Sequence, residues 1–232
     1  MSIKAFCSNH RNVGDTLNPI ILKHFLKEDI ERSDDPGKIL AVGSIINFAK
    51  EGDIIWGTGL IEDTAMKLPN VKVLALRGKL TADRCNLETD TYGDPGLLMP
   101  LIYKPNVVKK YKKGYTVHFI DQQAFNKDLP DDELFIDVLQ PYDIVIDQIN
   151  MCEHIVSSSL HGIVLAEAYG IKASYVPSYS GGVIGGSFKF KDYLTGTNRD
   201  ENCLNDEILP PIKDLDKIQK DLIKKLCYFK KC

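Results

Sequence analysis

The chain has 232 residues, 44% of them hydrophobic and 26% charged, enough to bury a sizeable core without a disulfide or a metal. A formal net charge of −3 argues against nucleic acid as a partner, because no basic excess is available to neutralise phosphates. No run of 18 apolar residues is present to span a membrane.

Short apolar runs alternate with helical patterns, the mark of βα units around a parallel sheet. In chain order, residues 3–7 read as a strand and Thr16–Lys27 as a helix that Asp15 is placed to cap. Ile39–Val42, Asp53–Trp56 and Val71–Leu76 read as strands, and a helix is expected from Lys79 to about Asn86. Gly93-Asp94-Pro95-Gly96 is a turn cluster in which Asp94 is available to orient a neighbour. Between Tyr103 and Gly114 the chain turns polar and lysine-rich, and a domain boundary is expected there. A second series follows: strands at Tyr115–Ile120, Leu134–Val138, His154–Ser157 and Ala173–Val176, with helices at Asp143–Met151 and Leu160–Tyr169. Ser178–Ser187 carries four glycines and reads as a mobile loop. Helices at Phe188–Leu194 and Asp214–Tyr228 complete the pattern. The fold expected is α/β, with two small doubly wound domains facing each other across a cleft: residues 1–105, residues 106–212, and a terminal helix over 213–232.

The six cysteines (Cys7, Cys85, Cys152, Cys203, Cys227 and Cys232) form no Cys-x-x-Cys pair. No apolar signal segment follows Met1, so a cytoplasmic chain with free thiols is expected. The lysines from Lys213 to Lys231 read as a solvated helix face, with peripheral contact to an anionic membrane as the lesser alternative. Arginine occurs at Arg11, Arg32, Arg77, Arg84 and Arg199 alone, so each invites a question.

The strongest local signal is Ser157-Ser158-Ser159-Leu160-His161-Gly162. A strand ends in serines and a helix starts at once, so unpaired N–H groups and the helix dipole offer an anion site, with His161 as a titratable group. The competing reading is that Ser159 caps the helix and His161 is incidental. His118, expected near the carboxyl end of its strand, would share the crevice edge and strengthens the functional reading; a satisfied histidine within the strand is the alternative. His10, His24 and His154 have no such setting. In the first half, Asn12-Val13-Gly14-Asp15 suits sugar hydroxyls, although helix capping explains it nearly as well. Gly57-Thr58-Gly59 implies close backbone approach to something. Arg77 at a strand end is placed to grip a carboxylate or phosphate, and Lys189 or Lys191 to reach an anion once the glycine loop closes. No ligand-type spacing of carboxylate and histidine occurs, so no metal is expected.

Taken in order, these pieces resemble the polysaccharide pyruvyl transferases. The matching stretches are Asn12-x-Gly14-Asp15 with Leu17-Asn18-Pro19, Gly57-Thr58-Gly59, Arg77-Gly78, Gly93-Asp94-Pro95, the His118 strand, Ser157–Gly162 running into Ala166–Gly170, and Phe188–Tyr193. The resemblance covers roughly residues 6–194 and is closest to the shorter ketal-forming members of succinoglycan-type pathways. It implies two Rossmann-like domains as in GT-B enzymes, phosphoenolpyruvate as co-substrate with no further cofactor, and a sugar acceptor that is often lipid-linked, on polyprenyl diphosphate for example. It implies a catalytic His161, with Asp15 as a weaker candidate for base. Arg77, His118, Ser158, Ser159, Gly162 and Lys189 would then bind the donor; Asn12, Gly14, Asn18 and Thr58 would face the acceptor. Some relatives carry Arg immediately before the Leu-His pair, where this chain has Ser159, so another group must supply that charge. Two other functions fit the same features: a GT-B glycosyltransferase using a nucleotide sugar, and a non-catalytic anion- or glycan-binding module.

Overall fold

The computed structural model describes the backbone of residues 2–8 and 12–231, with side chains up to residue 227. His10, Arg11 and Cys232 lie outside the described residues.

The architecture is α/β with two all-parallel sheets, consistent with two Rossmann-like domains. The first sheet holds β1 (Ile3–Ala5), β2 (Ile30–Arg32), β3 (Ile39–Leu40), β4 (Ile54–Trp56) and β5 (Lys72–Ala75) in the order β2-β1-β3-β4-β5. The second holds β6 (Tyr111–Thr116), β7 (Glu133–Ile136), β8 (Cys152–Ser157) and β9 (Lys172–Tyr175) in the order β7-β6-β8-β9. β2 is absent from the sequence-based expectation because it is an edge strand whose Glu31 and Arg32 face solvent, so it carries no apolar alternation. β6 starts four residues earlier than expected and ends at Thr116. His118 therefore lies beyond the strand, where it caps a short 3-10 turn over Phe119–Asp121. The consecutive, exposed Lys112 and Lys113 hide the strand's start, since they pair outward with Asp132 and Glu133.

Among the described residues six α-helices accompany the sheets: α1 (Val13–Leu26), α2 (Lys79–Cys85), α3 (Tyr142–Asn150), α4 (Leu160–Ala168), α5 (Phe188–Gly196) and α6 (Leu215–Lys231). Asn12, not Asp15, caps α1: its side chain accepts the Asp15 N–H, and Asp15 sits inside the first turn. All nine residues of α4 are buried, which its apolar, non-amphipathic sequence demands. It is sandwiched between the second sheet and a 3-10 segment of the first half, Pro95–Leu101.

The last two helices return to the first half. α5 docks on α2, where the Asp192 carboxylate accepts the Thr81 N–H at 2.8 Å. α6 covers Trp56, whose indole N–H donates to the Leu222 carbonyl at 3.0 Å, and Gln219 donates to the Leu97 carbonyl at 2.7 Å. One apolar core runs continuously from Leu17 and Ile21 of α1 through Leu97 and Leu98 to Ile163 and Val164 of α4; a smaller one, with Leu40, Ile55 and Phe188, covers the other face of the first sheet. Among the described residues no helix is long and apolar enough to cross a membrane.

Candidate functional site

Two helix starts build the site. α1 opens after β1 in the first half, and α4 opens after β8 in the second. Their ends touch because residue 14 is glycine: a Cβ there would sit 2.1 Å from Nδ1 of His161. The Val13 N–H donates to the Val138 carbonyl at 2.7 Å, pinning the start of α1 to the segment after β7. Between the halves lies a cleft of about 580 Å³. Asn12, Asp15, Ser44 and Asn47 line one wall, and His118, Ser159, His161 and Lys189 the other. First-turn residues of both helices border the cavity, so both partial positive helix ends favour an anion within it.

Lys189 is the most unusual of these groups. Its side chain is 6% exposed, and no carboxylate pairs with it among the described residues. Burial, supplemented by the nearby Arg77 charge and partly opposed by Asp121, lowers its pKa to about 8. A buried cation without a counter-charge is costly unless something brings the anion to it.

His161 is 9% exposed at the first turn of α4. Its Nε2 faces the fully buried Asp94, 3.5 Å from Oδ2, and neither atom has a hydrogen-bond partner among the described residues. His118 accepts the Ile120 N–H at Nδ1 (3.4 Å) and stacks on Phe119. Its own N–H donates to the Ser158 hydroxyl at 3.0 Å. That hydroxyl donates to Asp121 at 3.0 Å, and Ser178 and Ser180 donate to the other Asp121 oxygen at 2.6 Å each. Burial alone would raise the Asp121 pKa, but these hydrogen bonds outweigh it and hold the carboxyl below its usual range. The network anchors the beginning of the glycine-rich loop beside His118.

Several residues chosen from sequence lie away from the cleft. Arg77 is fully buried, its Nε 2.8 Å from Asp192 Oδ2 and its remaining nitrogens on the Ser44 hydroxyl and the Leu60 carbonyl. Asn18 exchanges two hydrogen bonds with the Val42 backbone, at 3.0 and 2.8 Å, and so joins α1 to the end of β3. Thr58 donates to the Gly43 carbonyl at 2.7 Å and holds that loop closed. Gly162 packs on Thr116 and Ser157, with no room for a side chain. Ser158 is spent on the Asp121 network. Gly14 acts by its missing side chain. Asn12 donates to the Asp15 carboxylate and caps α1 while lining the cleft. Ser44, Asn47 and Asp121 gave no sequence signal, being single polar residues in short turns between the main elements; Asp94 gave a partial one through its Gly-Asp-Pro turn.

A family model for polysaccharide pyruvyl transferase matches residues 12–178, well over half the chain. The chain belongs to that family. The match begins at the Asn12 cap and takes in His118, Ser159 and His161, but stops short of Lys189. Similarity also extends to an uncharacterized protein of Acanthamoeba polyphaga mimivirus, 32% identical over 175 residues; these are 69% of this chain and 61% of that protein, so the chain spans less than two thirds of this relative's length. No solved structure matches the chain significantly. For this pyruvyl transferase family member, the cleft brings together six of the residues singled out from sequence: Asn12, Asp15, His118, Ser159, His161 and Lys189.

Proposed function

We propose that the cleft transfers pyruvate from phosphoenolpyruvate onto two hydroxyls of a sugar, forming a ketal in capsular or exopolysaccharide synthesis. The observation that carries this reading is Lys189: a buried lysine with no carboxylate partner among the described residues lines the same cavity as His161 and the start of α4. Phosphoenolpyruvate is a small trianion that such a site suits. Lys189 supplies the cation that Ser159 does not, with His118 and the α4 N–H groups completing the donor site. Asn12 and Asp15 on the opposite wall face the acceptor. Residues 1–105 then form the acceptor side and 106–212 the donor side, and a metabolite donor places the reaction in the cytoplasm.

The chemistry asks for one proton donor and two oriented hydroxyls. Protonated His161 delivers a proton to the donor's methylene carbon, making C2 electrophilic. One sugar hydroxyl adds to C2; the second displaces phosphate and closes the ring. The two hydroxyl protons account for the new methyl hydrogen and the hydrogen on released phosphate. Asp15, on the acceptor wall, is the carboxylate assigned to receive one of them.

Phosphate release that matches acceptor mass gain, in the presence of phosphoenolpyruvate, is the result expected. Nucleoside diphosphate release from a nucleotide sugar would instead make the enzyme a glycosyltransferase. His161→Ala should lower kcat by about 10²–10⁴-fold; intact turnover would remove the role assigned to it and favour a binding module. Lipid-linked and free acceptors assayed side by side decide between those two forms.

Lys189→Met should raise the KM for phosphoenolpyruvate roughly 10–100-fold, from one lost charge-assisted contact. Folding disfavours the charged form of Lys189, since its pKa falls from 10.5 to about 8. Removing that charge should therefore leave the melting temperature unchanged or higher. Below pH 8 the wild-type ammonium is present; as pH rises through about 8 it is lost, and donor KM should climb in the wild type but not in Lys189→Met. A flat KM profile in both would detach Lys189 from the donor.

A further inference from the structure

We infer that Asp94 is a positioning residue for His161. Its carboxylate holds the neutral ring in the tautomer with hydrogen on Nε2, leaving Nδ1 as the nitrogen that exchanges a proton in the cleft. The inference deepens the proposed function, since it gives His161 its working atom.

Asp94 and His161 are 67 positions apart in the chain, yet their side chains meet in a place without solvent. Asp94 is fully buried. Its Oδ1 is committed to the Gly96 N–H at 2.8 Å, capping the Pro95–Leu101 turn, while Oδ2 has no hydrogen-bond partner among the described residues. His161 Nε2 is in the same condition and lies 3.5 Å away. Two buried polar atoms with no other partner and facing each other are each other's partner, because leaving both unpaired would incur both desolvation penalties. Contacts of this kind are often long before substrate arrives and tighten on binding.

The partner's chemistry then selects the tautomer. A carboxylate only accepts, so Nε2 must carry the hydrogen and Nδ1 must be bare in the neutral ring. The surroundings hold this arrangement in place. α4 is packed hard onto the Asp94 turn: a Cβ on Gly96 would meet Val164 at 3.0 Å. On the Nδ1 side the ring lies against the side-chain-free Gly14. Once the imidazolium gives its Nδ1 proton to the donor's carbon, the ring is left as the Nε2–H form that Asp94 stabilises, and an acceptor hydroxyl proton restores it.

The tautomer of the neutral ring can be read directly by two-bond 1H–15N correlation on the full-length labelled protein, recorded across a pH series. The His161 signals are assigned by their loss in His161→Gln. The wild type should show the Nε2–H pattern, and Asp94→Asn should shift it to Nδ1–H or a mixture, since asparagine can donate to Nε2. Asparagine keeps the Oδ1 acceptor for Gly96, so the turn stays capped. The same variant should lose kcat on the order of a hundredfold or more, with donor KM changed by less than about threefold. An Nδ1–H wild-type ring overturns the proposal whether or not the variant folds, and so does an unchanged tautomer in folded Asp94→Asn. The spectrum needs no turnover: absence of phosphoenolpyruvate-dependent transfer would sink the functional reading, while a wrong tautomer would sink this one.

Discussion

Replacing Arg77 with alanine is expected to cost about 3–5 kcal/mol of folding free energy, because it leaves the buried Asp192 without its counter-charge. That is a large part of the roughly 5–15 kcal/mol that holds a typical chain folded. Arg77 lies just beyond β5, and its guanidinium fastens α5 there: Nε pairs with Asp192 at 2.8 Å, and Asp192 also accepts the Thr81 hydroxyl at 2.8 Å. The two elements are in backbone contact there, since a Cβ on Gly78 would lie 1.8 Å from the Asp192 carbonyl oxygen. Urea denaturation would show the loss as a lowered midpoint. Molecules that remain folded should bind phosphoenolpyruvate as the wild type does. A wild-type melt combined with a raised donor KM would return Arg77 to the donor site.

Gly14→Ala should reduce kcat/KM at least about a hundredfold while moving the melting temperature by only a few degrees. The added methyl would lie 2.1 Å from His161 Nδ1, well inside van der Waals contact, so either helix or ring must move by more than an ångström. The helix is the firmer of the two. Val13 is bonded to the Val138 carbonyl and Asn18 to both backbone groups of Val42. The ring therefore yields, and a displacement of that size at a reacting group costs on the order of 10²-fold. Alanine's helix propensity, better by roughly 0.5–1 kcal/mol, offsets part of the overpacking penalty of about 1–3 kcal/mol. Wild-type turnover in this variant would show that the ring does not act from this position.

Arg77 and Lys189 show what decides a cation's role. Both were legible in sequence as anion-binding candidates at the ends of secondary elements. Both are buried, yet Arg77 meets Asp192, while Lys189 lines the cleft with no carboxylate partner among the described residues. Partnership across 115 positions is a property of packing, and local pattern carries no record of it.

The sequence by itself determined the βα alternation, most strand and helix positions, the α4 start with His161, and the family. The family came from the resemblance of motifs in order; the rest follow from local physics: apolar periodicity, caps, and glycines where backbone must approach closely. The structure decided the remainder. It added edge strand β2, moved His118 off its strand, made Asn12 the cap of α1, and sent α5 and α6 back onto the first half. It also placed Asp94 behind His161. Each of these depends on which buried surface meets which, and periodicity reports that a face is buried without naming what covers it.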